Sequence, residues 1–159
     1  MTATTTPAAG SPAPYSWVQS VSAGFLAPTS YTPTITQSGS VAKTVTYCEY
    51  IVRGGVVDYW GTVSFTGSGT ATNLVTVSLP VNADSGAVTA GQNVGTGILY
   101  DASAGDYPCI ARIASASTIS FVQSSIEGTS NNKLGLNGGF TAQIVSGDAL
   151  QWHVTYAIA

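Results

Sequence analysis

Charge is what this 159-residue sequence has least of. Asp, Glu, Lys and Arg together make up 7% of it, against about a quarter in an ordinary soluble domain. Ser, Thr, Asn, Gln and Gly must therefore supply most of the wetted surface. The fixed cations are Lys43, Arg53, Arg112 and Lys133, and the net charge is -3. Binding along a phosphate backbone takes several cations on one face, so nucleic acid is not an expected partner.

Histidine occurs once, as His153, and cysteine twice, as Cys48 and Cys109. Without closely spaced Cys or His pairs there is no zinc-ligand spacing, and no metal or other cofactor is expected. The cysteines are either free thiols on core strands or one inter-strand disulfide, and their spacing does not choose. A Ser-His-Asp arrangement would have to use His153, with Asp148 or Asp101 to orient it. No Gly-x-Ser-x-Gly elbow is present, and Asp58, Asp84, Asp101, Asp106, Glu127 and Asp148 fall mostly in or beside turns, where Asp caps local backbone. A non-enzymatic protein is expected. No apolar run approaches the roughly 20 residues of a membrane-spanning helix, so membrane insertion is not expected. The first residues lack the basic and apolar regions of a signal peptide, so export by that route is not expected either.

What is present is a β pattern. Residues 44–52 are β-branched and aromatic, and Arg53-Gly54-Gly55 after them marks a hairpin. Next, Val57, Tyr59, Val63 and Phe65 fall on one parity while Asp58, Trp60, Thr62 and Ser64 fall on the other, the period of a half-buried strand. A third run, 74–79, turns Val75, Val77 and Leu79 one way and stops at Pro80. Beyond a loop from Val81 to Gly97, strands are predicted at 97–101, at 107–113 and at 117–122. Cys109, Ala111 and Ile113 share a face of the second, with Pro108 marking its start or an edge; Ile119 and Phe121 point inward from the third. A second long loop, Gln123 to Gly139, leads to strands at 140–145 and 149–157 joined by Ser146-Gly147-Asp148. In the last, Leu150, Trp152, Val154, Tyr156 and Ile158 line the core side and Gln151, His153 and Thr155 the surface. With no helical period anywhere, about eight short strands predict an all-β, jelly-roll-like antiparallel β-sandwich over residues 31–159.

Residues 1–30 differ. Pro7, Pro12, Pro14 and Pro28 hold the backbone extended, and no charge precedes Lys43, yet Tyr15, Trp17, Val18, Phe25 and Leu26 give this stretch a large apolar surface. It reads as an extended arm that docks on its own trimer mates or on a larger assembly; the plainer alternative is a tail folded over its own sheet edge.

An ordered set of segments carries a family resemblance: Tyr31-Thr32-Pro33-Thr34-Ile35; Tyr50 with Arg53-Gly54-Gly55-Val56-Val57; Val77-Ser78-Leu79-Pro80; Gly97-Ile98-Leu99-Tyr100-Asp101; and Gly147-Asp148-Ala149-Leu150 with Thr155-Tyr156. Together they resemble the small β-domain of minor tail, tail-fibre-tip and head-decoration proteins of tailed bacteriophages, especially those of actinobacterial hosts. The resemblance covers residues 31–159 and implies a non-catalytic virion protein that assembles as a homotrimer. The chain departs from the pattern in having no collagen-like or coiled-coil shaft. Two placements are open to it. In a minor tail protein the loops at 81–97 and 123–139 would meet the host; in a capsid decoration protein the arm would lie across head subunits. The expected partners are further copies of the chain, tail or capsid proteins and, for a glycan-binding adhesin or lectin module as third alternative, a host cell-surface glycan. Trp60 and Asp58 are the candidate contacts. Trp60 serves either a subunit interface, where Trp is enriched, or a sugar platform.

Overall fold

The computed structural model describes residues 27–123 and 143–159. The expected arm contacts Tyr15, Trp17, Val18, Phe25 and Leu26 lie outside the described residues, as do positions 124–142 of the second loop and the strand after it. The described residues form nine strands: β1 Thr29–Ser30, β2 Ile35–Thr36, β3 Lys43–Arg53, β4 Val56–Phe65, β5 Thr76–Ser78, β6 Asn93–Asp101, β7 Gly105–Ser115, β8 Thr118–Gln123 and β9 Ala149–Ala157. β3 and β4 close as a hairpin, with Arg53 opposite Val56. Its turn needs a positive φ at both central positions, which Gly54 (53°) and Gly55 (82°) supply.

The all-β, antiparallel expectation holds, but the sandwich does not. All nine strands belong to one sheet in the order β1-β3-β4-β9-β6-β7-β8-β5-β2. The reason is the last strand: β9 inserts between β4 and β6 and bonds to both, so the ladder has no break at which two layers could separate. The sheet instead curls on itself. Tyr59 on β4 donates its hydroxyl to the Ser78 carbonyl on β5 at 3.4 Å, across four intervening strands.

Residues 29–36 fasten the curl. β1 pairs with β3 at one edge and β2 with β5 at the other. Between them the Tyr31 amide donates to the Cys48 carbonyl at 2.8 Å, while the Tyr31 hydroxyl lies 2.9 Å from Ser78 Oγ and donates to the Leu79 carbonyl at 3.1 Å. Eight consecutive residues thus tie both ends of the sheet, which leaves less open edge than a free sandwich would show.

The inner face follows the sequence parity. Val57, Tyr59, Val63 and Phe65 of β4 are buried, as are Leu150, Trp152, Val154 and Tyr156 of β9, and Val77, Ala111, Ile113, Ile119 and Phe121 from the other half. Cys48, Gly61, Trp152, Gly97 and Cys109 stand opposite one another in a single cross-strand row. Gly61 makes room for the indole, since a Cβ there would lie 2.6 Å from Trp152 Cζ2; a Cβ at Gly97 would lie 2.7 Å from the Gln151 carbonyl oxygen and 3.0 Å from Phe121 Cε1. The Trp152 ring meets Tyr59 edge-on at 5.5 Å, a favourable aromatic arrangement.

Four local expectations are corrected. The third run forms only the three residues of β5, at the far end of the sheet from β4. β6 begins at Asn93 and not at Gly97, because Asn93 already pairs with Arg112 on β7 and Gly95 with Val154 on β9. Pro108 neither starts β7 nor sits on an edge strand; it stands opposite Ile98, one residue beyond the β7–β8 pairing, which begins at Cys109. Gln143–Val145 is not strand, because side chains take its amides: Ile144 donates to Gln37 Oε1 at 3.0 Å and Val145 to Asp148 Oδ2 at 2.9 Å.

Both cysteines are free and buried. Desolvation pushes each thiol from its ordinary 9.0 up to about 11, and burial raises Tyr59 and Tyr156 as well. The folded chain thus keeps protons that the unfolded chain releases, so the stability the two thiols contribute is fully present below pH 9.0 and is lost as pH rises through about 11, with the tyrosines' share lost at higher pH still. Thermal melts from neutral pH upward should be level and then decline, and Cys48→Ala with Cys109→Ala should reduce the slope.

Candidate functional site

The outward residues of the central strands line up in cross-strand rows. One row runs Tyr47, Thr62, Gln151, Ile98, Pro108; the next runs Glu49, Trp60, His153, Thr96, Ile110. Between them lies a depression of about 600 Å³, lined chiefly by Tyr47, Trp60, Ile98, Ile110, Gln151 and His153, with no Asp, Glu, Lys or Arg in its lining. The volume falls within the roughly 300–1,000 Å³ typical of small-ligand sites, and mostly apolar walls with a few placed polar groups are their usual character.

Tyr47 reaches this face through a β-bulge. Val45 pairs with the inward Val63, but the register shifts before Tyr47, which pairs with the outward Thr62; a bulge adds one residue to its strand and re-aims the side chains beyond it. The result is an aromatic side chain 42% exposed at the rim. Trp60 stands across the depression, its ring edge-on to the exposed His153 imidazole at 6.3 Å and 86°. Gln151 forms a polar bridge along one wall: its Nε2 donates to the Tyr47 hydroxyl at 3.1 Å, and its Oε1 accepts from the Tyr100 hydroxyl at 3.3 Å. Beside this bridge the Thr62 hydroxyl is buried and has no hydrogen-bond partner.

Of the two contacts predicted from sequence, Trp60 belongs to the depression. Asp58 does not line it: it stands one outward row away, where the Thr155 hydroxyl donates to its Oδ1 at 2.6 Å. The carboxylates paired with His153 in the enzyme reading serve turns instead. Asp148 is 1% exposed and accepts from the Ala102 and Val145 amides. Asp101 accepts from the Ser103 hydroxyl and amide and the Ala104 amide, bonds that lower its pKa, with the Ser103 hydroxyl the largest cause. Among the described residues no group of three His, Cys, Asp or Glu is placed to hold a metal ion, and no helix is long and apolar enough to cross a membrane. Sequence reading missed Tyr47, Ile98, Ile110 and Gln151 as site residues. The outward parity of Gln151 was the one available signal.

Comparison with protein-family models, with curated proteins and with solved structures returns no match.

Proposed function

We propose that this chain is a non-enzymatic structural protein of a tailed-phage particle, a homotrimeric minor tail or tail-tip component that meets the host surface. The observation that supports a contact role is the open, uncharged depression around Trp60, on a sheet whose other face is packed and whose two edges are tied by residues 29–36. The ordered segments from Tyr31 to Tyr156 support the particle assignment through their resemblance to phage tail and decoration domains. Val52 and Val56, both exposed at the β3–β4 hairpin, provide apolar surface for subunit contact. Val56 is four residues from Trp60, about 13 Å along the strand, so a trimer built there leaves the depression open.

Sedimentation of the purified protein and its copy number in purified particles test this reading. Trimer mass and tail stoichiometry are the expected results. Stoichiometry matching the capsid lattice would make it a head-decoration protein, and a monomer at micromolar concentration would remove the trimer.

A further inference from the structure

We infer that the depression on the outer face is a binding site for a neutral saccharide, with Trp60 as the stacking platform and the Tyr47–Gln151 pair as the hydroxyl-reading wall. The inference deepens the contact role proposed above and rests on it only for the source of the sugar.

A saccharide ring has two recognisable features, an apolar C–H face and a rim of hydroxyls that both donate and accept. The depression answers each. Trp60 offers a half-buried indole, held edge-on against His153, and Ile98, Ile110 and Pro108 continue the apolar floor. Along the wall, the hydrogen-bond directions leave defined capacity. Tyr47 accepts from Gln151 Nε2, so its own proton remains to be donated. Gln151 keeps one amide N–H and one lone pair after bonding Tyr47 and Tyr100. The Thr96 side chain adds a hydroxyl to the lining from β6. Donors and acceptors thus alternate beside an aromatic face, which suits hydroxyls better than it suits an alkyl chain.

Charge narrows the class. No carboxylate, ammonium or guanidinium lines the depression, so a uronate, a sialic acid or a phosphorylated polymer would find no fixed cation there and only the His153 imidazole to pair with, on an otherwise largely apolar surface. The described part of a second copy fits less well, because filling a cavity of about 600 Å³ takes a large protruding side chain. Among the described residues the exposed large apolar groups other than Tyr47 are Val52, Val56 and Leu74, and these are small for the purpose.

The test is retention of the intact protein on immobilised neutral oligosaccharides built from glucose, galactose, mannose, rhamnose and N-acetylglucosamine, beside uronate-containing oligomers, with sedimentation read in parallel. Retention by at least one neutral oligomer is expected. Trp60→Ala should weaken it by about tenfold or more, Gln151→Ala should weaken it too, and Asp58→Ala should leave it unchanged, all with unchanged sedimentation. The inference is overturned if no neutral oligomer is retained at millimolar concentration, if uronates are retained in preference, if Trp60→Ala binds as well as the parent, or if Trp60→Ala alters the oligomer, which would assign the depression to a second copy. Copy number in particles is read separately, so a tail protein that ignores sugars and a sugar-binding protein outside the tail give different results.

Discussion

Trp152→Ala is expected to lower the unfolding free energy by about 3–5 kcal/mol, the range for removing a buried Phe or Trp side chain. The indole is 2% exposed and is the largest of the fully buried side chains. It sits mid-row between Gly61 on β4 and Gly97 on β6, so the space it leaves is bounded by backbone that cannot move in to fill it. Its Nε1 has no hydrogen-bond partner, so truncation orphans no acceptor and the loss is packing alone. Trp152→Phe should therefore cost much less than Trp152→Ala. The same geometry predicts a coupling. A Cβ at Gly61 would collide with Trp152 Cζ2 at 2.6 Å and Cη2 at 2.9 Å, atoms that phenylalanine lacks. Gly61→Ala should thus be destabilising beside Trp152 and less so beside Phe, where Cys48 Sγ at 3.1 Å still crowds the new Cβ, a double-mutant coupling of about 0.5–3 kcal/mol. Urea midpoints at constant slope would measure each leg; equal costs of Gly61→Ala in both backgrounds would contradict the packing.

Gly95→Ala is expected to cost at least the roughly 1–3 kcal/mol of overpacking, and here no side chain can yield. Gly95 faces Val154 on β9 and Ala111 on β7. An added Cβ would fall on the His153 carbonyl oxygen and 2.7 Å from Val154 Cα, so β6 must part from β9 to admit it. Because β6 also carries Thr96 and Ile98 into the depression, separation should weaken saccharide retention together with stability. An Ala variant with the parental urea midpoint would show that the two strands do not meet there.

Local alternation made the faces of single strands legible. Val57 through Phe65 on β4 and the full length of β9, from Ala149 to Ala157, read correctly because each strand buries one side and wets the other. Which strands are neighbours was not legible: nothing in the alternation of β9 says that it enters between β4 and β6, and that insertion is what replaces a sandwich with one curled sheet. Positions 143–145 carry strand-like residues, but Gln37 from elsewhere in the fold takes the Ile144 amide and Asp148, three residues on, takes that of Val145. The site was half visible. Trp60, Gln151 and His153 point outward by parity, whereas Tyr47 would point inward were it not for the bulge after Val45. The apolar floor comes from β6 and β7, so no short window of sequence holds it.

The most direct test of an open outer face over a sealed inner one is hydroxyl-radical footprinting of the protein in its native assembly, read residue by residue. Trp60, Tyr47 and His153 should label readily, while Trp152, Tyr59 and Tyr156 should label only after unfolding. Protection of Trp60 to the same degree as Trp152 in the native assembly would contradict it.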